Sequence, residues 1–485
     1  MENKENKDIV SITLDSPSES EVQAPPQRPL KFKILRFCAF VSIVLLNTLV
    51  NFQKTCPSVV ADQMAIAYGV DKAEVKTFSS SYFWTYAAMQ PFSGLLSDLF
   101  DPAIVLAILA LVSSAGSSIC GFSNNMGVGS FGRILVGLGT GPTYVAALKI
   151  FSNWYPKDQL PTVLGLNMAL SSIGGFLSGT PLQAFCNKFG WRWAFHTIGI
   201  VGGVLSTFVL IFIRGSPERQ GFDPVNVSNK AKKEETFCES ISNLFRNIWQ
   251  VLIYGYFWVI VLFNVGTVSV FLNIAGFSGG IYLTDVLHFT PNQRASAMLS
   301  FHTGVLIGSI ILPQIAKWVK SKKMVLIGSA ILTAAPLFTL FFLGNKATYI
   351  TIWIYWTIIG TFSRPVLSLS YPIATSYYCP VVSGSTVGIA NFFLNLMAGV
   401  FQMISGAIIP LYDVTVGDKP VHTWKGYQMG VWLFSGVCAA VSILMGIIMK
   451  DNDSKMCTQT KKVERGELNS PLLLAEVQKT DEKTK

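Results

Sequence analysis

The stretch FCAFVSIVLLNTLVNFQKTCPSVV, residues 37–60, is an apolar segment of membrane length that carries a single ammonium group. No charged residue occurs from Phe37 to Val50, and Lys54 then follows beside Gln53. About 20 apolar residues suffice for a helix to cross the hydrocarbon of a bilayer. The stretch therefore predicts a membrane-spanning helix, with Lys54 either reaching the outer interface or, in a long tilted helix, lying inside the protein.

The composition of the whole chain extends this interpretation. Of the 485 residues, 51% are hydrophobic and 13% are charged, whereas soluble proteins carry about 25% charged residues. Twelve apolar windows are long enough to span a membrane, and we expect helices because an unpaired backbone is not tolerated in lipid. The windows, numbered as spans 1 to 12, are residues 34–60, 77–97, 103–122, 128–150, 160–184, 193–213, 250–284, 295–316, 323–343, 348–378, 384–410 and 427–449.

The longest polar segment between the windows divides the spans six and six. It predicts an N-terminal bundle at 34–213, a linker at 214–249 and a C-terminal bundle at 250–450, with polar tails at 1–33 and 451–485. Most of the 37 Lys and Arg residues lie in the tails and in the loops of one side. By the positive-inside rule both tails and the linker are expected to be cytosolic. This placement explains the net charge of +10 without a nucleic-acid partner.

Several function classes find no support in the sequence. The eight cysteines are scattered without a metal-binding spacing, and no phosphate-binding loop occurs. No cluster of histidines or acids near helix ends suggests an enzyme, so we expect no cofactor, no metal and no catalytic residue. Almost no acid lies inside the predicted spans, which favours facilitated diffusion or exchange over coupling to protons or sodium.

The two halves of the chain resemble each other at span 5 and span 11. TVLGLNMALSSIGG, residues 162–175, and TVGIANFFLNLMAG, residues 386–399, share Thr, Val, Asn and Gly at a constant offset. A duplication of six helices is a known transporter plan, with the binding site between the two halves near the middle of the membrane. The repeat therefore predicts two pseudo-symmetric six-helix bundles around a central site.

Two further motifs carry a resemblance to a known family. GLLSDLFDPAIVL, residues 94–106, between spans 2 and 3, and GRILVGLGTGP, residues 132–142, resemble signature motifs of the major facilitator superfamily. The resemblance implies an all-α membrane protein with that superfamily's fold, and transport by alternating access. Gly94 and Asp98 would then belong to a loop that stabilises the outward-facing state. The basic residues that usually follow this aspartate are absent here.

Three cations are candidates for binding a solute, because an ionised group at membrane depth is costly and commonly functional. Arg364 in TFSRPVLSL lies deep in span 10, Arg133 lies a few residues into span 4, and Lys54 lies late in span 1. Each also has a structural alternative, as an anchor for backbone carbonyls or as an interfacial side chain. Uncharged candidates, which alternatively serve helix packing, are Asn51, Tyr82, Tyr86, Asn167, Asn273, Asn391 and Asn395.

These residues predict a carrier for a small polar organic solute, anionic or zwitterionic, and leave several alternatives. Lys54 and GFDPVN, residues 221–226, are similar to the sugar-phosphate exchanger branch, although no second arginine is present in span 7. A looser likeness to lysosomal dipeptide uniporters accompanies GELNSPLLLAEV in the C-terminal tail, which resembles a sorting signal. A receptor or accessory subunit without transport is the third alternative. We expect a monomer in the plasma membrane or an endosomal or lysosomal membrane.

Overall fold

The structure is a computed structural model of the chain that describes residues 28–156, 159–225, 237–378, 383–416 and 419–450. The C-terminal tail with its sorting-like segment lies outside the described residues. Spans 1 to 6 comprise Leu30–Tyr68, Lys76–Leu99, Pro102–Phe122, Met126–Thr140 with Thr143–Trp154, Leu160–Ser171 with Ile173–Leu177 and Thr180–Phe189, and Trp191–Phe212.

The second half repeats this arrangement. Spans 7 to 12 comprise Gly255–Asp285, Pro291–Val319, Lys322–Leu343, Tyr349–Phe362 with Leu367–Ser376, Ser383–Ile408, and Trp424–Ile448. A linker helix, Phe237–Ile253, precedes span 7, and a short antiparallel hairpin, Val414–Val416 with Lys419–Val421, joins spans 11 and 12.

The predicted all-α membrane fold is confirmed. Within the described ranges, nine helices are apolar and long enough to cross a bilayer. Span 5 becomes a tenth when its segments Thr162–Leu177 and Thr180–Phe189, which are bent by 42° relative to each other, are counted as one span. The other two predicted spans are span 2, which is helical from Lys76 to Leu99, and span 10, which is interrupted in the middle. The twelve spans form the two bundles that the internal repeat predicts.

Two spans are interrupted or widened close to the centre. In span 10 the regular helix ends at Phe362, and a short 3-10 turn from Arg364 to Val366 precedes the second part. Pro365 explains the break, because proline lacks the N–H that would continue the helix. Span 7 contains two π-helical turns, Val265–Ser269 and Ile274–Ser278, of the kind often found at functional sites.

The structure corrects the prediction for Gly94 and Asp98. They lie in the last turns of span 2, which extends to Leu99, and not in a loop between spans 2 and 3. The side chain of Asp98 lies outside the described residues. The next acid, Asp101, caps span 3 by accepting hydrogen bonds from Ala103 and Ile104. The turn between the two spans is short because this cap starts span 3 at Pro102.

The described ends of the chain lie on one side of the molecule. Arg28 donates hydrogen bonds to the carbonyls of Asp223 and Pro224 in the segment after span 6. At the other terminus, the carbonyl of Lys450 accepts a hydrogen bond from Tyr377 at the end of span 10. We call the opposite side of the molecule the distal end.

Candidate functional site

Lys54 lies inside the protein, against an aromatic ring of span 2. Its side chain is buried, and Nζ lies 3.9 Å from the centroid of the Tyr86 ring. The ring of Tyr82 stacks on Tyr86 at a centroid distance of 5.5 Å. Of the two sequence alternatives for Lys54, the structure shows the interior position. Span 1 reaches it because the helix continues to Tyr68 without interruption.

Arg364 extends from the break in span 10 toward span 1. Its Nη2 donates a hydrogen bond to Oδ1 of Asn51 at 2.7 Å, which joins the C-terminal bundle to the N-terminal bundle. Arg364 also lies close enough to Lys54 for their positive charges to repel each other. Because the helix is interrupted at this residue, the guanidinium stands where the backbone is irregular, as at the binding sites of other transporters.

Arg133 is placed differently from the other two cations. It is fully buried, donates from Nη2 to the carbonyl of Gln53 at 2.9 Å, and lies 4.7 Å and 5.3 Å from the ring centroids of Tyr82 and Phe78. Its Nε and Nη1 have no hydrogen-bond partner among the described residues. Arg133 therefore adjoins the central region through Tyr82, and it packs between span 1 and span 2.

The predicted amides separate into two groups. Asn51 accepts from Arg364 and donates to the carbonyls of Asn47 and Ser171, so it belongs to the central region. The remaining amides bond within their own bundles. Asn167 accepts from Asn47 at 3.2 Å, Asn273 donates to Ser405 at 3.0 Å, Asn391 accepts from Tyr371 at 2.5 Å, and Asn395 donates to the carbonyl of Asn391 at 2.8 Å.

Two residues near the central region were not among the predicted binding residues. Tyr371 of span 10 donates a hydrogen bond to Oδ1 of Asn391 in span 11 at 2.5 Å. His302 is buried against span 5, where a Cβ on Gly175 would lie 2.0 Å from its Nδ1. The available signal for Tyr371 was its position two helical turns after Arg364. His302 gave no such signal, because its role depends on the close approach of spans 5 and 8.

The central cations lack acidic partners. Within the described ranges, no Asp or Glu forms an ion pair with Lys54, Arg133 or Arg364. Nor are three or more His, Cys, Asp or Glu side chains grouped as metal ligands in this part of the chain. The region instead offers ammonium, guanidinium and phenol donors, a combination that binds oxyanions.

The distal end contrasts with this centre, because two buried cationic side chains there, Arg294 and His422, are paired with carboxylates. Arg294 of span 8 forms an ion pair with Asp62 of span 1, and its Nη2 donates to the carbonyl of Val59 at 2.7 Å. Lys76 of span 2 donates to the carbonyl of Gly406 of span 11 at 2.9 Å. These bonds join the two bundles at the distal end.

His422 supplies a further connection at the distal end. Its ring bonds to Asp413 in the same connection at 2.8 Å and to Asp71, between spans 1 and 2, at 3.1 Å. Burial alone would lower the pKa of His422, but the hydrogen bonds and charges of Asp71 and Asp413 raise it to about 9. The imidazolium form is therefore the stable one at neutral pH.

Twelve helical spans in two bundles define a polytopic membrane protein. Residues 41–402 match the Major Facilitator Superfamily. The chain belongs to this family, in agreement with the resemblance seen in the sequence.

Individual relatives share parts of the chain. A probable sulfoacetate transporter of Cupriavidus necator is 25% identical over 162 residues, 33% of this chain and 38% of the relative. An efflux pump of Hypomyces subiculosus is 23% identical over 386 residues, 77% of this chain and 63% of the relative. The chain thus covers less than two thirds of the length of either relative.

Solved structures agree with the fold. A bacterial homolog of the human lysosomal transporter Spinster, in an inward-facing and unoccupied conformation, superposes with a TM-score of 0.65 at 15% identity, over 87% of this chain and 99% of the other. A D-xylose–proton symporter superposes with a TM-score of 0.63 at 12% identity, over 87% and 98% of the two chains. At these identities the likeness describes the architecture alone.

Proposed function

We propose that the protein is a secondary transporter that carries a small polar organic solute, anionic or zwitterionic, by facilitated diffusion or exchange. The observation that carries this proposal is the position of Lys54 and Arg364, which lie where the bundles meet and have no carboxylate partner in the described ranges. A buried charge without a partner is costly. An anionic group of the solute would remove that cost, so the solute would bind where the two bundles meet.

The descriptions of two relatives are compatible with transport of a small polar organic solute. The Cupriavidus necator relative is described as a probable transporter of sulfoacetate, which is an organic anion. The Hypomyces subiculosus relative is described as an efflux pump, without a named solute. Anion transport is therefore present among the described activities of related chains, and it agrees with the charge of the central site.

Phosphate-ester exchange is a second candidate, for a specific structural reason. The sequence lacks a second arginine in span 7, but Arg364 from span 10 supplies a second cation near Lys54. A doubly charged phosphate would thus meet two cations and not one. Counterflow separates the candidates: phosphate inside proteoliposomes accelerates uptake by a phosphate exchanger and leaves another anion carrier unaffected.

Uptake of labelled organic anions into proteoliposomes tests the main proposal. We expect Arg364→Ala to reduce uptake by at least about tenfold, because a close charge pair with the solute is lost. Lys346→Ala is the matched control, since Lys346 is an exposed cation at the distal end. Both variants should unfold at temperatures close to that of the unsubstituted protein, which would assign the loss to binding.

Two outcomes contradict the proposal. Unchanged uptake by Arg364→Ala would make the guanidinium a structural group. Tight binding of an anion without any flux would identify a receptor with a transporter fold.

A separate experiment tests the orientation of the chain in the membrane. A protease added outside right-side-out vesicles should spare both tails if they are cytosolic, as we propose.

A further inference from the structure

Arg364 contacts span 1 about one helical turn before Lys54, which is itself a residue of that span. Arg364 bonds to Asn51, and Lys54 follows Asn51 by three residues on the same helix. Residues three apart lie on one face of a helix, with Cβ atoms about 5–6 Å from each other. Arg364 of the C-terminal bundle therefore bonds to the face of span 1 from which Lys54 extends.

The third cation of this region is already engaged by the protein. Arg133 donates to the carbonyl of Gln53 and lies over the rings of Tyr82 and Phe78. No carboxylate of the described residues pairs with Lys54 or Arg364. A solute that brings one anionic group to each of these two side chains would offset the cost of placing their charges inside the protein.

Both cations have free donor capacity. In the described part of the chain, Lys54 has no hydrogen-bond acceptor, and its ammonium meets only the face of Tyr86. Arg364 makes one hydrogen bond there, from Nη2 to Asn51. A guanidinium with free N–H groups binds a carboxylate or sulfonate through two parallel hydrogen bonds, while an ammonium acts as a point charge.

Resting on the proposed function, we propose that the solute is a dianion with two separate anionic groups, a dicarboxylate or a sulfocarboxylate. One group binds Arg364 and the other binds Lys54. A phosphate monoester places its charges on one group, and a monoanion leaves one cation unpaired.

Binding of matched anions to the purified full-length protein in nanodiscs tests this proposal. Succinate is compared at pH 7.5 with its monomethyl ester, which has the same carbon chain and one charge fewer; sulfoacetate and glycerol phosphate complete the set. We expect succinate or sulfoacetate to bind at least about tenfold more tightly than the half-ester. Lys54→Gln should reduce this ratio to about one while retaining half-ester binding through Arg364.

The controls and the contrary results distinguish a failure of the dianion proposal from a failure of the proposed anion site. Lys346→Gln should leave the ratio unchanged, and Arg364→Gln provides a second test if Lys54→Gln does not fold. Equal binding of succinate and its half-ester, or binding of glycerol phosphate alone, would overturn the dianion proposal but keep an anion site. Failure of every anion to bind would overturn the anion site, and the dianion proposal with it.

Discussion

The molecule contains two kinds of buried cation, and they lie in different regions. At the distal end, Arg294 pairs with Asp62, and His422 with Asp71 and Asp413, so each cation has a carboxylate of the protein. At the centre, neither the buried Lys54 nor the part-buried Arg364 has a carboxylate partner among the described residues. Both regions lie between the same two bundles.

From this comparison we infer a structural role for the paired cations of the distal end and a solute-binding role for the cations of the centre. A paired cation loses stability when its partner is removed, whereas an unpaired buried cation is itself a cost that hydrophobic replacement relieves. The distal pairs connect Asp62 and Asp71 of the first half to Arg294 and His422 of the second, so they stabilise contact between the bundles. The central cations have no such pair among the described residues, which agrees with the ligand site that we propose.

The largest effect is expected from breaking the pair at the distal end. Asp62→Asn leaves Arg294 buried without its carboxylate and should lower stability by about 3–5 kcal/mol. Thermal unfolding in nanodiscs measures the loss. The double variant Asp62→Asn with Arg294→Gln should recover part of it, and an unchanged melting temperature in the single variant would mean that the pair contributes nothing.

The opposite sign is expected at the centre. Lys54→Met removes an unpaired charge and keeps the side-chain volume, so the free energy of unfolding without solute should rise by about 1–4 kcal/mol. Binding of the anion should fall in the same variant. Lys346→Met serves as the exposed control, and a destabilised Lys54→Met would place Lys54 among the structural cations.

A pH dependence is expected from His422. Because its folded pKa is about 9, above the ordinary 6.5, its stabilisation is complete below about pH 6.5 and is lost as the pH rises through 9. The partial exposure of Asp71 limits the loss to about 1–2 kcal/mol. Melting temperatures from pH 6 to 10 measure it, and His422→Gln should flatten the profile; a curve unaltered by that substitution speaks against this assignment.

The smallest effect concerns the ring beneath Lys54. Tyr86→Leu removes the aromatic face and should weaken anion binding by about 0.5–1 kcal/mol, since the ring orients the ammonium. Tyr86→Phe keeps the face and should bind nearly as well. Isothermal titration compares the two variants; equal losses would show that the hydroxyl, and not the ring, is the important group.

The fold was largely predictable because its signals are local. Apolar windows report membrane spans, and the motifs around Gly94 and Arg133 identify the family. The helix of span 2 extends through Gly94 and Asp98 to Leu99, although the motif that contains them was interpreted as a loop, and the cap at Asp101 fixes the start of span 3. The role of the motif in stabilising the outward-facing state stays a prediction. The break in span 10 had a signal in Pro365 that the window of residues 348–378 did not use.

The sequence indicated which cations lie at membrane depth, but it did not indicate which residues they contact. Lys54 and Arg364 were conspicuous as cations inside apolar segments. Their separation from carboxylates depends on how distant helices pack, which no single segment encodes. The same holds for Asp62. In the sequence it is an acid near the end of a predicted span, and in the structure it pairs with Arg294, 232 residues later in the chain. Gly280 likewise permits contact with the carbonyl of Ser58, where a Cβ would lie 2.2 Å from the oxygen.

The hydrogen bond from Arg364 to Asn51 bears on how the cycle is completed. Through this bond a neutral amide oxygen of one bundle serves as an acceptor for the guanidinium of the other. A carrier with such a substitute acceptor can return empty, so we expect net downhill flux and not obligatory one-for-one exchange. Asn51→Leu would remove the substitute, and uptake should then depend more strongly on anion supplied in the opposite compartment.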